Sequence, residues 1–186
     1  MPPKVKVTKE DIIDAAVEIV RQSGEEGINA RNVAAKLDCS TQPVFSNFES
    51  MDNLRFAVIK RADEMCNEYI KKEVESKKYP AYKASGMAYI RFAKEESQLF
   101  RLLYMRDRTQ ETETESELNN EMENIVHSTT GLSGDKMKLF HLEMWVYVHG
   151  IASMFATGFL DLSWELVSKL LTDSYQGLKK QYDLEN

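Results

Sequence analysis

Apolar residues return every three or four positions through most of this chain, and nowhere do they alternate over a sustained run. That period is the mark of helices with one buried face, so the pattern predicts an all-α protein. The first stripe is Ile12, Ala15, Ala16, Ile19 and Val20. Thr8 precedes it with Asp11 at capping-box spacing, and Ser23-Gly24 follows it, which sets both ends of a helix. A short second stripe, Val33, Ala34 and Leu37, follows Asn29, whose side chain can cap it. Asp38-Cys39 reads as a turn, and Ser40 as the cap of a third helix that buries Val44 and Phe48. Pro43 is tolerable in the first turn, where backbone N–H groups have no intrahelical partner. Ile28 to Phe48 is therefore a helix-turn-helix pattern. Thr41, Gln42, Ser46 and Asn47 are left outward, short hydrogen-bonding side chains of the kind that read base edges in a major groove.

Ser50 can cap a long helix expected over Asp52 to Ser76, with Leu54, Ala57, Val58, Ala62, Met65, Tyr69 and Val74 as its stripe; Pro80 marks the break. Helices are expected over Ala81–Lys94 and over the short, very apolar Ser97–Asp107. Arg108 to Asn120 is polar and acidic and reads as a loop running into a helix, because Thr114 and Glu117 stand at capping-box spacing. That helix continues through Leu118, Met122, Ile125 and Val126. Asp135–Phe159 follows. No residue from Met144 to Leu160 is charged, a length that approaches a membrane span. Tyr147, His149, Ser153 and Thr157 interrupt it and Lys136, Lys138 and Glu143 precede it, so no membrane is expected. A helix apolar nearly all round is instead buried on two sides, one in its own domain and one against a partner chain. Gly150, Ala152, Ser153, Ala156 and Gly158 are small enough for close helix approach. Ser163 caps a last helix to Tyr182, striped by Leu166, Leu170, Leu171 and Tyr175.

Charge sharpens this division. Residues 1–61 hold 9 Lys plus Arg and 9 Asp plus Glu, net 0, so the remainder carries the whole net charge of −6. The first part is relatively basic, with Lys4, Lys6, Lys9, Arg31, Lys36 and Arg55 as the available phosphate contacts, so modest DNA affinity is expected. Met1 to Thr8 is short and lacks an apolar core, so no secretory signal is expected, and Cys39 and Cys66 read as free thiols of a reducing cytoplasm. Cys39, in the turn, also has the position of a redox sensor. His127, His141 and His149 have no metal-binding spacing, and neither a phosphate loop nor a nucleophile elbow is present. No catalysis, metal or cofactor is expected. Aromatic and Met residues crowd the second part; Phe100, Tyr104, Met122, His141 and Trp145 are the candidates to line an apolar effector pocket between helices.

Several spaced features agree with one family. Ile12-Ile13-Asp14-Ala15-Ala16, Gly24 before Gly27-Ile28-Asn29, Val33-Ala34-Ala35, Val44-Phe45-Ser46-Asn47-Phe48 and Ser50 through Leu54 resemble the N-terminal domain of TetR-family transcriptional regulators. Trp145 through Ala152 resembles the Trp…His-Gly signature of one C-terminal class of that family. The resemblance implies a three-helix DNA-binding domain over 1–51 and an effector-binding and dimerisation domain over 52–186. It implies a cytoplasmic homodimer on a palindromic double-stranded operator, with a small apolar or amphipathic effector and usually a repressor's role. Lys9, Arg31, Thr41, Gln42, Phe45, Ser46 and Asn47 are the DNA-contact candidates. Two departures stand out: Phe45 replaces a usual Tyr and Met51 a usual Lys, both phosphate contacts in the family. With the neutral first part, they also fit an adaptor of the same fold that binds protein instead of DNA; an enzyme using the pocket is the weakest alternative.

Overall fold

The computed structural model describes residues 7–107 and 120–184. Lys4, Lys6 and the acidic run with its Thr114–Glu117 spacing lie outside them. Among the described residues there are nine helices and no strand: α1 Lys9–Ser23, α2 Ala30–Lys36, α3 Gln42–Asn47, α4 Met51–Glu75, α5 Ala81–Glu95, α6 Ser97–Tyr104, α7 Asn120–Thr130, α8 Gly134–Ala156 and α9 Trp164–Gln181. They form two compact units. One takes Met1–Cys66 with Glu96–Arg106, the other Asn67–Glu95 with Asp107–Asn186. Packing thus divides the chain inside α4 and returns α6 to the first unit. The 51/52 boundary, drawn by function, is a different kind of division and stands as a proposal.

In the first unit α1 starts as its sequence predicts. Thr8 Oγ1 accepts from the Asp11 N–H at 3.1 Å, and the Asp11 carboxylate accepts from the Thr8 N–H at 2.8 Å. That backbone bond holds the Asp11 carboxyl below its usual range. Gly24 ends α1 at φ 73°. Gly27 is there for space: a Cβ would lie 2.8 Å from Ile19 Cγ2, so the short 3₁₀ turn at Glu25–Gly27 packs tightly on α1. Asn29 caps α2 through the Asn32 N–H at 2.9 Å. Ile12, Val20, Ile28, Val33, Val44 and Leu54 are buried to within 1%. α6 belongs to this core, with Leu99 and Phe100 fully buried, and Arg21 of α1 grips Glu96 through two parallel bonds of 2.8 and 2.6 Å.

The turn between α2 and α3 is a Schellman closure. The Asp38 N–H reaches Ala35 O at 3.3 Å and the Cys39 N–H reaches Ala34 O at 3.0 Å. This requires Asp38 at φ 49°, a left-handed conformation that an L side chain resists. Asp38 is exposed, so Asp38→Gly is expected to raise the unfolding free energy by about 0.5–1 kcal/mol, read by urea denaturation. The α3 start corrects the sequence reading. Thr41, not Ser40, is the N-cap; it makes no side-chain cap bond, and Pro43 stands at the second helical position. The Val44 and Phe45 N–H groups both reach Thr41 O, so the helix begins where the proline's missing donor costs nothing.

The second unit packs α5, α7, α8 and α9 around Tyr82, Val126, Met137, Phe140 and Met144. Close approach of α5 to α8 and α9 depends on Gly86, where a Cβ would lie 3.3 Å from Leu171 Cδ1 and 3.5 Å from Val148 Cγ2. Ser163 caps α9 through the Leu166 N–H at 3.3 Å. The inward line of α9 differs from the expected stripe: Val167 and Leu171 are buried and Leu166 is 43% exposed. Four apolar residues in six positions permit either line, and packing selects the one that faces Gly86. On α8 one side is buried, through Phe140, Met144, Val148, Ile151 and Ala152. Leu139, Leu142 and Val146 stay more than half exposed.

Candidate nucleic-acid interface

α3 buries Val44, and Phe48 just beyond its end, and presents its other side to solvent. Gln42 and Ser46 are exposed, Thr41 and Asn47 are half-buried, and the Phe45 ring is 58% exposed. Two of these polar side chains are already engaged. Ser46 Oγ donates to Gln42 O at 2.9 Å, and Asn47 Nδ2 donates to Pro43 O at 2.8 Å, each bonding back onto its own helix. Gln42 is left as the outward amide.

Charge surrounds α3 but is absent from it. Lys9 of α1 lies over the Phe48 ring, its Nζ 5.1 Å from the centroid, which ties that ammonium to the end of α3. Arg31 and Lys36 of α2 are exposed. Arg55 is committed elsewhere, to Asp52 at 2.9 Å and Ile28 O at 3.5 Å, so it braces α4 against the start of α2. Met51 opens α4 without charge, as its sequence dictates. Neutral amide, apolar ring and a few flanking cations make a surface suited to a groove with phosphate edges.

The second unit holds two matched pairs of another kind. The Tyr82 hydroxyl lies 3.1 Å from His141 Nδ1, and the Tyr89 hydroxyl 3.0 Å from His149 Nδ1. The tyrosines are seven apart on α5 and the histidines eight apart on α8, so the two helices run alongside in the same direction. Burial lowers the pKa of both histidines. A neutral ring accepting at Nδ1 carries its proton on Nε2, and Trp145 stacks on the second of these rings at 4.8 Å. A histidine whose folded pKa is lowered contributes stability that is present above about pH 6.5 and is lost as the pH falls. The melting temperature is therefore expected to drop between about pH 6.5 and 5, and less steeply in a His141→Gln/His149→Gln variant, read by scanning calorimetry.

Residues 82–173 match the family model of the tetracyclin repressor-like C-terminal domain. The chain belongs to the TetR family of regulators. Among solved structures it is similar to a TetR-like transcriptional regulator from Rhodococcus sp. RHA1, at TM-score 0.67 and 17% identity, covering 96% of this chain and 98% of that one. It is also similar to a protein of unknown function from the same organism, at TM-score 0.70 and 18% identity, covering 97% of each. At these identities the likeness establishes the fold. No curated protein matches the sequence significantly.

In this TetR-family chain Thr41, the four candidates on α3, Arg31 and Lys9 fall in one compact unit. The effector candidates divide between the two units. Phe100 is fully buried in the first unit, its ring 5.0 Å from that of Tyr104, which donates to Cys66 Sγ at 3.8 Å. Met122 packs against the second unit's core, and His141 and Trp145 sit on α8. Burial pushes the Cys66 thiol up to about 12, so it is an inert core group, whereas Cys39 is half-exposed. Sequence reasoning missed the tyrosines that hold the histidines. Their spacing was the signal, because seven and eight residues are both two helical turns. It also missed Glu73, buried with one oxygen on Arg91 Nη1 at 2.8 Å and its Oε1 without a hydrogen-bond partner. Among the described residues no group of His, Cys, Asp and Glu is placed to hold a metal ion, and no helix is long and apolar enough to cross a membrane.

Proposed function

We propose that this chain is a homodimeric, DNA-binding transcriptional regulator of the cytoplasm, a repressor by steric blocking, modulated by a small apolar or amphipathic effector. The observation that carries the reading is α3, with Gln42, Phe45 and Ser46 outward and Lys9, Arg31 and Lys36 around it. Two such helices in one dimer read a palindrome whose half-site centres lie about 34–36 Å apart. The exposed line Leu139, Leu142 and Val146 on α8 supports the homodimer, since monomers seldom leave such a row in water. In this reading α4 and α6 carry the response: α4 contributes to both units, and α6 follows α5 directly and packs in the DNA-reading one. An effector acts by binding one arrangement better than the other, and shifts the population only by that difference. No catalytic step belongs to this function.

A second reading, an adaptor that captures a protein partner through the same head, is favoured by the net zero charge of residues 1–61 and by Phe45 and Met51. A salt series separates the two. If Lys9, Arg31 and Lys36 each meet one phosphate in both subunits, log affinity falls against log salt with a slope of about −5. Arg31→Ala is expected to weaken all duplexes alike and to reduce that slope by about 2, measured by fluorescence anisotropy. Absence of binding to every duplex, with capture of a protein partner, supports the adaptor.

A further inference from the structure

We infer that the operator half-site is read as adjacent A·T pairs, with Phe45 seated on a thymine methyl group and Gln42 paired with an adenine. The inference rests on the DNA-binding reading above and deepens it. From Ser40 to Phe48 the chain carries no charged residue. Guanine is most often read by a bidentate Arg or Lys, and cytosine by a carboxylate that accepts from its amino group; α3 offers neither. Ser46 and Asn47 have donors bound to Gln42 O and Pro43 O, and Thr41 is half-buried, which leaves Gln42 and Phe45 as the two exposed side chains with no bond to their own helix. One is the exposed Gln42 amide, which matches the N6 donor and N7 acceptor of adenine. The other is Phe45, whose ring is 58% exposed and has no hydroxyl for a phosphate. In the major groove the complement of such a ring is the thymine methyl, a feature that no G·C pair has.

The spacing fits. Gln42 and Phe45 are three apart on one helix face, a rise of about 4.5 Å, close to one base-pair step. The two contacts therefore fall on successive base pairs. An exposed phenyl ring gains by leaving water, so the methyl contact adds affinity that depends on sequence, while Lys9, Arg31 and Lys36 add affinity that does not.

The test uses the full chain and duplexes enriched from a random pool. Enriched half-sites are expected to share adjacent A·T pairs. Replacing the critical thymine by deoxyuridine removes only the methyl, and is expected to weaken wild-type binding about fourfold in one half-site and about fifteenfold in both. Phe45→Ala is expected to bind the thymine and deoxyuridine duplexes equally, and Phe45→Tyr, which keeps the ring, to discriminate between them. Phe45 is exposed, so unchanged melting of both variants confirms that the head still folds. Half-sites built on G·C pairs, or equal wild-type affinity for thymine and deoxyuridine, overturn the inference. A pool in which no duplex is enriched overturns the DNA-binding reading itself, and this base preference with it.

Discussion

Phe100→Ala is expected to destabilise the first compact unit by about 3–5 kcal/mol, measured as a shift in the urea unfolding midpoint. The ring is fully buried, beside buried Leu99 and Leu103 on the same short helix and against Tyr104. Truncation removes most of a phenyl group from a packed interior and leaves a cavity that the neighbours fill only in part. α6 is eight residues long and the Arg21–Glu96 fork holds its start, so Phe100 is a large share of what the helix buries. The variant should lose DNA binding through the fold, with the melting curve moving first. A variant within about 1 kcal/mol of wild type that changes only the effector response would return Phe100 to the pocket.

Val146→Arg is expected to convert a dimer into monomers and to lower operator affinity by about 10²–10⁴, because one reading head then binds without the other. Val146 is 58% exposed and ends the row that Leu142 and Leu139 begin, one and two turns before it. In a symmetric interface each patch meets its own copy, so one substitution places two like charges in an apolar contact. The single chain has no such penalty, since the side chain already faces water. Sedimentation at fixed concentration reads the mass, and circular dichroism shows whether the helices persist. An unchanged mass with unchanged affinity would remove α8 from the interface.

What was legible in the sequence is what depends on near neighbours. Thr8, Asn29, Ser50 and Ser163 each accept the backbone N–H of the helix they precede, because a cap is a contact over three residues. The α1 stripe is buried as its period requires. The start of α3 was misplaced by one residue because Ser40 and Thr41 are both good caps and Pro43 decides between them by its missing N–H. Side chains that meet across the fold were harder. Aromatic crowding in the second part does not tell core from pocket, nor that Phe100 packs in the first unit. Leu166 and Val167 are adjacent and both apolar, and only tertiary contact shows which is inside. The outer face of α3 was legible as outward, yet the bonds of Ser46 and Asn47 to their own helix were not.

The most direct test is the stoichiometry of the protein on an enriched duplex, followed by sedimentation from about 50 to 200 mM salt. Two chains bound per palindrome, with log affinity falling linearly against log salt, is the expected result. A single chain on the duplex, or binding that salt leaves unchanged, would contradict it.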